Sequence, residues 1–315
     1  MATIAHYTDP RSNRNVLEKM PSKLSKLITR RRFFAAVAGC GLALCGYTRF
    51  VEPHWMAVDE VRFAFPEGML TSPVRVLLMS DLHVSDSDSI DFTNHAFTLG
   101  LSLEPDLICL AGDIIDACGY DKFALVETLK RLSRAAPTFA CLGNHDGGNW
   151  VYERRGGHKT TDNIMSILNA SHITCLHNAH QVVHVKGQML RFVGLGDRWA
   201  KLIDPLEAFQ GIEDPERQPT ILLCHNPDSK DELKIPLEDT GKKPFWHLML
   251  CGHTHGGQFV VPILGSTPRA PVEDKRYVAG LNRWRNRWIY TTRGIGNLYG
   301  MRFNCRPEVS LVTLI

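Results

Sequence analysis

Five short stretches of this 315-residue chain gather the side chains that could do chemistry. They are Asp81-Leu82-His83, Gly112-Asp113, Gly143-Asn144-His145-Asp146, Cys224-His225-Asn226 and Gly252-His253-Thr254-His255. Carboxylate, imidazole and amide oxygen form a mixed N/O ligand set that suits Mn²⁺, Fe or Zn²⁺ better than Ca²⁺. A set this large converging on one cleft describes a site for two divalent cations. Glycine before Asp113, Asn144 and His253 permits close backbone approach.

The elements that must position these residues precede them. The runs VRVLLMS, LICLA, TFACL, TILLC and HLMLC stand before the five stretches. Short apolar runs stopped by Gly or Asp read as strands covered on both faces. Five such strands in one sheet would deliver their ligands to one edge. His253 and His255 are two apart, so on an extended chain they leave the same face.

Between the strands the spacing predicts helices over 93–103, 122–135, with Asp121 as N-cap, and 160–169. Strand–helix alternation up to Asn144 indicates βαβ units with right-handed crossovers. Residues 51–73 read as a strand leading into the domain. The second half has short strands over 173–176, 181–185 and 190–194 with tight turns, which predicts a second, more antiparallel sheet. His54, His95, His158, His172, His177, His180, His184 and His247 read as packed or exposed residues, not ligands.

The ordered set Asp-x-His, Gly-Asp, Gly-Asn-His-Asp, His, Gly-His-x-His resembles the calcineurin-like metallophosphoesterase superfamily over roughly residues 74–258. Gly252–Gln258, Ala270–Tyr277, Thr291–Gly296 and Asn304–Glu308 are similar to the YaeI/YkuE-type branch of bacterial phosphodiesterases. The resemblance implies a four-layer αββα sandwich of two mixed sheets flanked by helices. It implies that Asp113 spans two metals, that Asp81, His83 and His255 complete one site, and that Asn144, His225 and His253 complete the other. It further implies a metal-bridging hydroxide as nucleophile and His145 as the group serving the departing oxygen. Asp146 is expected to orient His145 through Nδ1. Residues 269–306 are rich in Arg with interleaved Trp, and Arg293 is the expected substrate contact, because guanidinium grips phosphate oxygens bidentately.

Composition narrows the class. Hydrophobic content of 44% and charged content of 22% are those of an ordinary globular protein, and a net charge of +3 gives no case for nucleic acid. Nine cysteines without a CxxC pair argue against a zinc knuckle, and Cys109, Cys141, Cys224 and Cys251 read as buried core thiols.

The first fifty residues form a leader distinct from the domain over 51–315. Residues 1–32 hold eight basic and two acidic side chains, a net of +6, before an uncharged stretch from Phe33 to Thr48. This is a signal or anchor pattern, short and weakly apolar for a span. Thr29-Arg30-Arg31-Arg32-Phe33-Phe34 resembles the twin-arginine export motif, which points to export machinery of that type as a partner. No Ala-x-Ala site follows, which favours retention at the inner membrane with the body on the envelope side; attachment at the cytoplasmic face is the alternative.

The resulting expectation is a dinuclear, manganese-favouring phosphodiesterase acting on a small-molecule or lipid-linked phosphoester. The alternative is a pyrophosphate hydrolase acting on a UDP-2,3-diacylglucosamine of lipid A synthesis. A phosphomonoesterase and a non-catalytic metal-binding scaffold stand behind these.

Overall fold

The computed structural model describes residues 29–214, 216–234, 244–262, 265–266, 269–297 and 300–315. Most of the basic leader therefore lies outside the described residues. The chain divides into two compact units, Met1–Gly46 and Tyr47–Ile315. In the first, helix α1 (Arg30–Gly46) buries none of its side chains. The helical path continues as a π-turn over Tyr47–Val51 and a 3₁₀ turn over Glu52–His54. Arg30–His54, 25 residues long, is long and apolar enough to cross a membrane by length and composition. The apolar stretch read from sequence ran only from 33 to 48, because helical continuation through Tyr47–His54 has no apolar signature.

Among the described residues, the second unit is built on two six-stranded mixed sheets. The strands are β1 (Ala57–Phe63), β2 (Val74–Met79), β3 (Leu107–Ala111), β4 (Thr138–Cys141), β5 (Thr174–Cys175), β6 (Ala179–Val185), β7 (Gln188–Gly194), β8 (Thr220–Leu223) and β9 (Leu248–Cys251). A small pair, β10 (Val260–Val261) and β11 (Gly265–Ser266), precedes β12 (Gly280–Trp284), β13 (Arg287–Thr291) and β14 (Glu308–Leu314). The first sheet runs β1-β14-β2-β3-β4-β5 and the second β12-β13-β9-β8-β7-β6. In the second, antiparallel pairing is confined to the two ends, β12–β13 and β6–β7, while β13, β9, β8 and β7 run parallel. The tight turns visible in the sequence belong to those outer hairpins, so the sheet is less antiparallel than expected.

The apolar runs are continuous because each strand is covered twice. Val76, Leu78, Leu107, Cys109 and Phe139 meet Phe192, Ile221, Leu223, Leu248 and Leu250 between the sheets. Leu77, Met79, Ile108 and Leu110 face the other way. There they pack under α2 (Ser87–Leu101), α3 (Lys122–Ala135) and α5 (Asp162–Ala170) through Phe97, Leu129 and Ile164. On the outer face of the second sheet Leu222 and Met249 pack with Phe209, Trp246 and Tyr277, beneath short turns such as Pro227–Lys234. Helix α3 begins where expected, with Asp121 accepting from Phe123 and Ala124 N–H. Helix α2 begins earlier than its apolar spacing suggested, because Asp86 and Ser89 form a capping box. The elements without a sequence reading include α4 (Asn149–Arg155) and β14, which inserts between β1 and β2.

Candidate metal centre

The five chemical stretches follow the C-terminal ends of β2, β3 and β4 in the first sheet and β8 and β9 in the second. The candidate ligands therefore come from two sheets, not one, and meet at their shared rim. Outside the carboxyl ends of parallel strands is where α/β folds place ligands.

The chain must turn sharply to aim these side chains inward. Asp81, His83, Asp113, His253 and His255 take φ of 55°, 48°, 50°, 71° and 49°. Each left-handed non-glycine residue costs on the order of 1 kcal/mol or more, so strain is concentrated at this rim. His253 and His255 consequently do not leave an extended chain on one face. The turn between them sends His255 toward Asp81 and His83, and His253 toward Asp113 and His225. Gly112, at φ +83°, lets the loops close: a Cβ there would meet Gly143 N at 2.7 Å and His225 Nδ1 at 2.8 Å.

Two clusters result. In one, His83 Nε2 and His255 Nε2 lie 3.1 Å apart, with Asp81 Oδ1 3.4 Å from His255 Nε2. In the other, His253 Nδ1 and His225 Nε2 lie 3.1 Å apart, with Asp113 Oδ2 3.0 Å from His225 Nε2. The same Asp113 oxygen is 3.6 Å from His83 Nε2, so one carboxylate faces both clusters. His225 donates its Nδ1–H to Ala111 O at 2.8 Å, which leaves the Nε2 lone pair for the cluster. Asn144 is buried and lines the cleft, and its Oδ1 has no hydrogen-bond partner. Imidazole nitrogens nose to nose, a carboxylate between them and an orphaned amide oxygen are the donor set that divalent cations satisfy. The residues fit two such ions.

The electrostatics agree. Burial, then the neighbouring imidazoles, hold His253 and His255 well below the usual histidine range, in the neutral form a ligand requires. Burial would also lower His225, but Asp113 and Asp81 raise it well above that range, so these carboxylates draw positive charge to this point. Burial raises Asp81, with Asp113 adding to the rise.

His145 stands beside this pair of clusters, its ring 4.7 Å from His83. Its Nδ1 contacts Asp116 twice, 2.6 Å from the carbonyl O and 2.9 Å from Oδ1. Asp146 does not orient His145. Its carboxylate accepts from Ile114 and Gly143 N–H at 2.8 Å and from Ile115 N–H at 3.2 Å, tying the β3 and β4 loops together. Adjacency in sequence misled here: the two side chains leave the turn in different directions. Asp116, three residues after Asp113, was not read as functional, although two carboxylates in Gly-Asp-Ile-Ile-Asp was the available signal. Hydrogen bonds from His145 and His83 hold Asp116 well below the usual carboxylate range. Burial opposes protonation of His145, but Asp113 and Asp116 outweigh it and raise its pKa.

Arg293 does not line the cleft; its Nε pairs with Glu308 Oε2 at 2.5 Å. The arginines at the cleft are Arg154, Arg155 and Arg269, beside Trp150 and Trp199. Only Arg269 belongs to the basic segment singled out by sequence.

The family model described as calcineurin-like phosphoesterase matches residues 74–257. Phosphodiesterase YaeI of Escherichia coli is 40% identical over 292 residues, covering 92% of this chain and 100% of that protein. The uncharacterized metallophosphoesterase YkuE of Bacillus subtilis is 30% identical, covering 92% of this chain and 98% of that protein. The UDP-2,3-diacylglucosamine pyrophosphatase LpxG of Chlamydia muridarum is 25% identical, covering 84% and 91% respectively.

Proposed function

This chain belongs to the calcineurin-like phosphoesterase family and is a metal-dependent phosphoester hydrolase, and we propose that its substrate is a phosphodiester met at a membrane. The observation that carries the chemistry is Asp113 Oδ2, which faces His225 at 3.0 Å and His83 at 3.6 Å and so bridges the two clusters. The diester preference rests on the 40% identity to a phosphodiesterase along its whole length.

In this reading Asp81, His83 and His255 would hold one cation, Asn144, His225 and His253 the other, and Asp113 would serve both. Manganese is the proposed metal, since carboxylate and amide oxygens of the kind Asp81, Asp113 and Asn144 offer suit it. Bound cations supply Lewis-acid activation of water and of the phosphoryl oxygens. The chain's own residues do the rest. Carbonyl and carboxylate of Asp116 fix the Nδ1–H of His145, which leaves Nε2 to hold a proton for the departing oxygen. The Asp116 carboxylate, 2.9 Å from Nδ1, favours the protonated ring. Asp146 keeps the β3 and β4 loops at fixed separation, so Asp113 and Asn144 hold their positions.

The apolar helix from Arg30 supports attachment to a membrane, with the basic residues before it favouring a cytoplasmic N-terminus and an exported body. The second reading, cleavage of the pyrophosphate in UDP-2,3-diacylglucosamine, is favoured by the likeness to LpxG. Full-length protein assayed with bis(p-nitrophenyl) phosphate, p-nitrophenyl phosphate and UDP-2,3-diacylglucosamine, with Mn²⁺ and with chelator, separates these. Metal-dependent turnover of the diester above the other two is expected. Preference for the monoester or the nucleotide sugar, or rates indifferent to chelator, would overturn the proposal.

A further inference from the structure

A cleft of about 730 Å³ opens over the two clusters, lined on one side by Trp150 and Trp199 and containing Phe259 and Pro271. It is far larger than a bare phosphate group needs and falls in the range of sites that bury a whole organic ligand. The two indoles sit directly against the reacting residues. Trp150 is 4.9 Å from the His145 ring, Trp199 is 4.3 Å from the His253 ring, and the indoles are 5.7 Å from each other. An aromatic ring sandwiched between them would need centroids about 7 Å apart, so they form a continuous wall, not a clamp.

The wall is held in place. Asp197 Oδ1 accepts from Ala200 N–H at 2.8 Å and fixes the turn that carries Trp199. Gly148, at the start of α4, packs so closely that a Cβ there would lie 3.2 Å from the Ala200 side chain. Trp199 nevertheless keeps 37% of its surface exposed, an apolar face left open to the cleft on a rigid support.

Charge accompanies the wall. Arg154, over the Trp150 ring at 5.7 Å, and Arg269 both line the cleft, and neither has an ion-pair partner among the described residues. Arg155 is 3.8 Å from Asp116. The acidic residue lining the cleft is Asp113, already engaged with His225.

Resting on the diesterase reading, we propose that Trp150, Trp199, Arg154 and Arg269 form a subsite for the second substituent of the diester. That substituent carries an apolar ring or chain, laid on the indole wall, and an anionic group that reaches the two guanidinium groups. Compact neutral or cationic alcohols do not use this subsite. Unpaired guanidinium groups recognise carboxylate or phosphate oxygens with directed, charge-assisted hydrogen bonds.

The test uses full-length, Mn²⁺-loaded protein and three aryl p-nitrophenyl phosphate diesters that release the same p-nitrophenolate. Their other ring carries a carboxylate, no substituent or a trimethylammonium group. The carboxylate ester should show the lowest KM and the cationic ester the highest, separated by about tenfold, the size of one charge-assisted hydrogen bond. Arg154→Gln and Arg269→Gln should each shrink that ratio toward one. Trp199→Ala should raise KM for all three aryl esters relative to methyl p-nitrophenyl phosphate, and Trp199→Phe should restore most of the difference. Equal KM values across the three esters, with turnover intact, would overturn the subsite and leave the diesterase reading standing. No turnover of any diester with metal bound would overturn both.

Discussion

His83 and His255 present Nε2 to Nε2 at 3.1 Å, their rings stacked 23° from parallel. One hydrogen bond can join them only if one ring donates and the other accepts. Burial and the nearby His83 hold His255 neutral, and Asp81 Oδ1 lies 3.4 Å from its Nε2. A cation shared by the three groups would satisfy all of them at once, and the rest of the site is arranged in the same manner.

The contact between His145 and Asp116 predicts a pH effect. Asp116→Asn removes one of the charges that raise the His145 pKa. A group that works protonated loses activity as pH rises through its pKa, so the alkaline limb of kcat should move to lower pH. His145→Ala should cost about 10²–10⁴-fold in kcat with metal content unchanged. An alkaline limb that stays in place in Asp116→Asn would count against proton donation by His145.

Stability should depend on pH through His247, far from the ligands. Its ring is buried against Phe65 and Phe245, and its Nδ1 accepts from Thr220 N–H at 3.2 Å. Burial depresses its pKa from 6.5 to about 4. Between these values the unfolded chain binds the proton and the native state does not. Stability from this group is therefore complete above pH 6.5 and is lost as pH falls toward 4, by about 3 kcal/mol at most. Urea midpoints across that window should show a shallower slope in His247→Phe than in the parent.

The segment that follows α1 should be indispensable to the second unit. Thr48, Glu52, Pro53 and Met56 are buried. Glu52 accepts from Cys305 N–H, Thr48 O accepts from Arg302 N–H at 2.9 Å, and Cys305 Sγ contacts His255 O at 3.3 Å. Residues 48–56 are thus built into the loop behind His255. Deleting residues 1–46 should leave Tm and metal content of the remaining unit near those of the full chain. Deleting residues 1–56 should lower Tm by several degrees, consistent with loss of buried contacts worth about 1–3 kcal/mol. Equal Tm values for the two truncations would contradict this.

What the sequence disclosed and withheld follows from range. The strand-end His and Asp clusters were legible because a doubly covered strand is an apolar run and its stop is a Gly or Asp, both local signals. Asp121 as a cap is equally local. β14 was invisible because its partners, β1 and β2, lie more than 200 residues upstream. Asp116 escaped because its partner His145 sits on another loop, 29 residues away. Helix α4 is seven residues long after two glycines, too short to show a period, so the half of the wall it carries, Trp150, had no signature. Arg293 was favoured because charge density is visible in a sequence while side-chain direction is not; Glu308, fifteen positions on, claims it.

The central claim is that these seven side chains hold two cations. Metal content of the full-length protein, loaded with Mn²⁺ and freed of excess by gel filtration, tests it most directly by elemental analysis. Two Mn²⁺ per chain are predicted, falling to about one in His255→Ala and in His253→Ala. One ion or none in the parent protein, or two retained in both variants, would contradict the account.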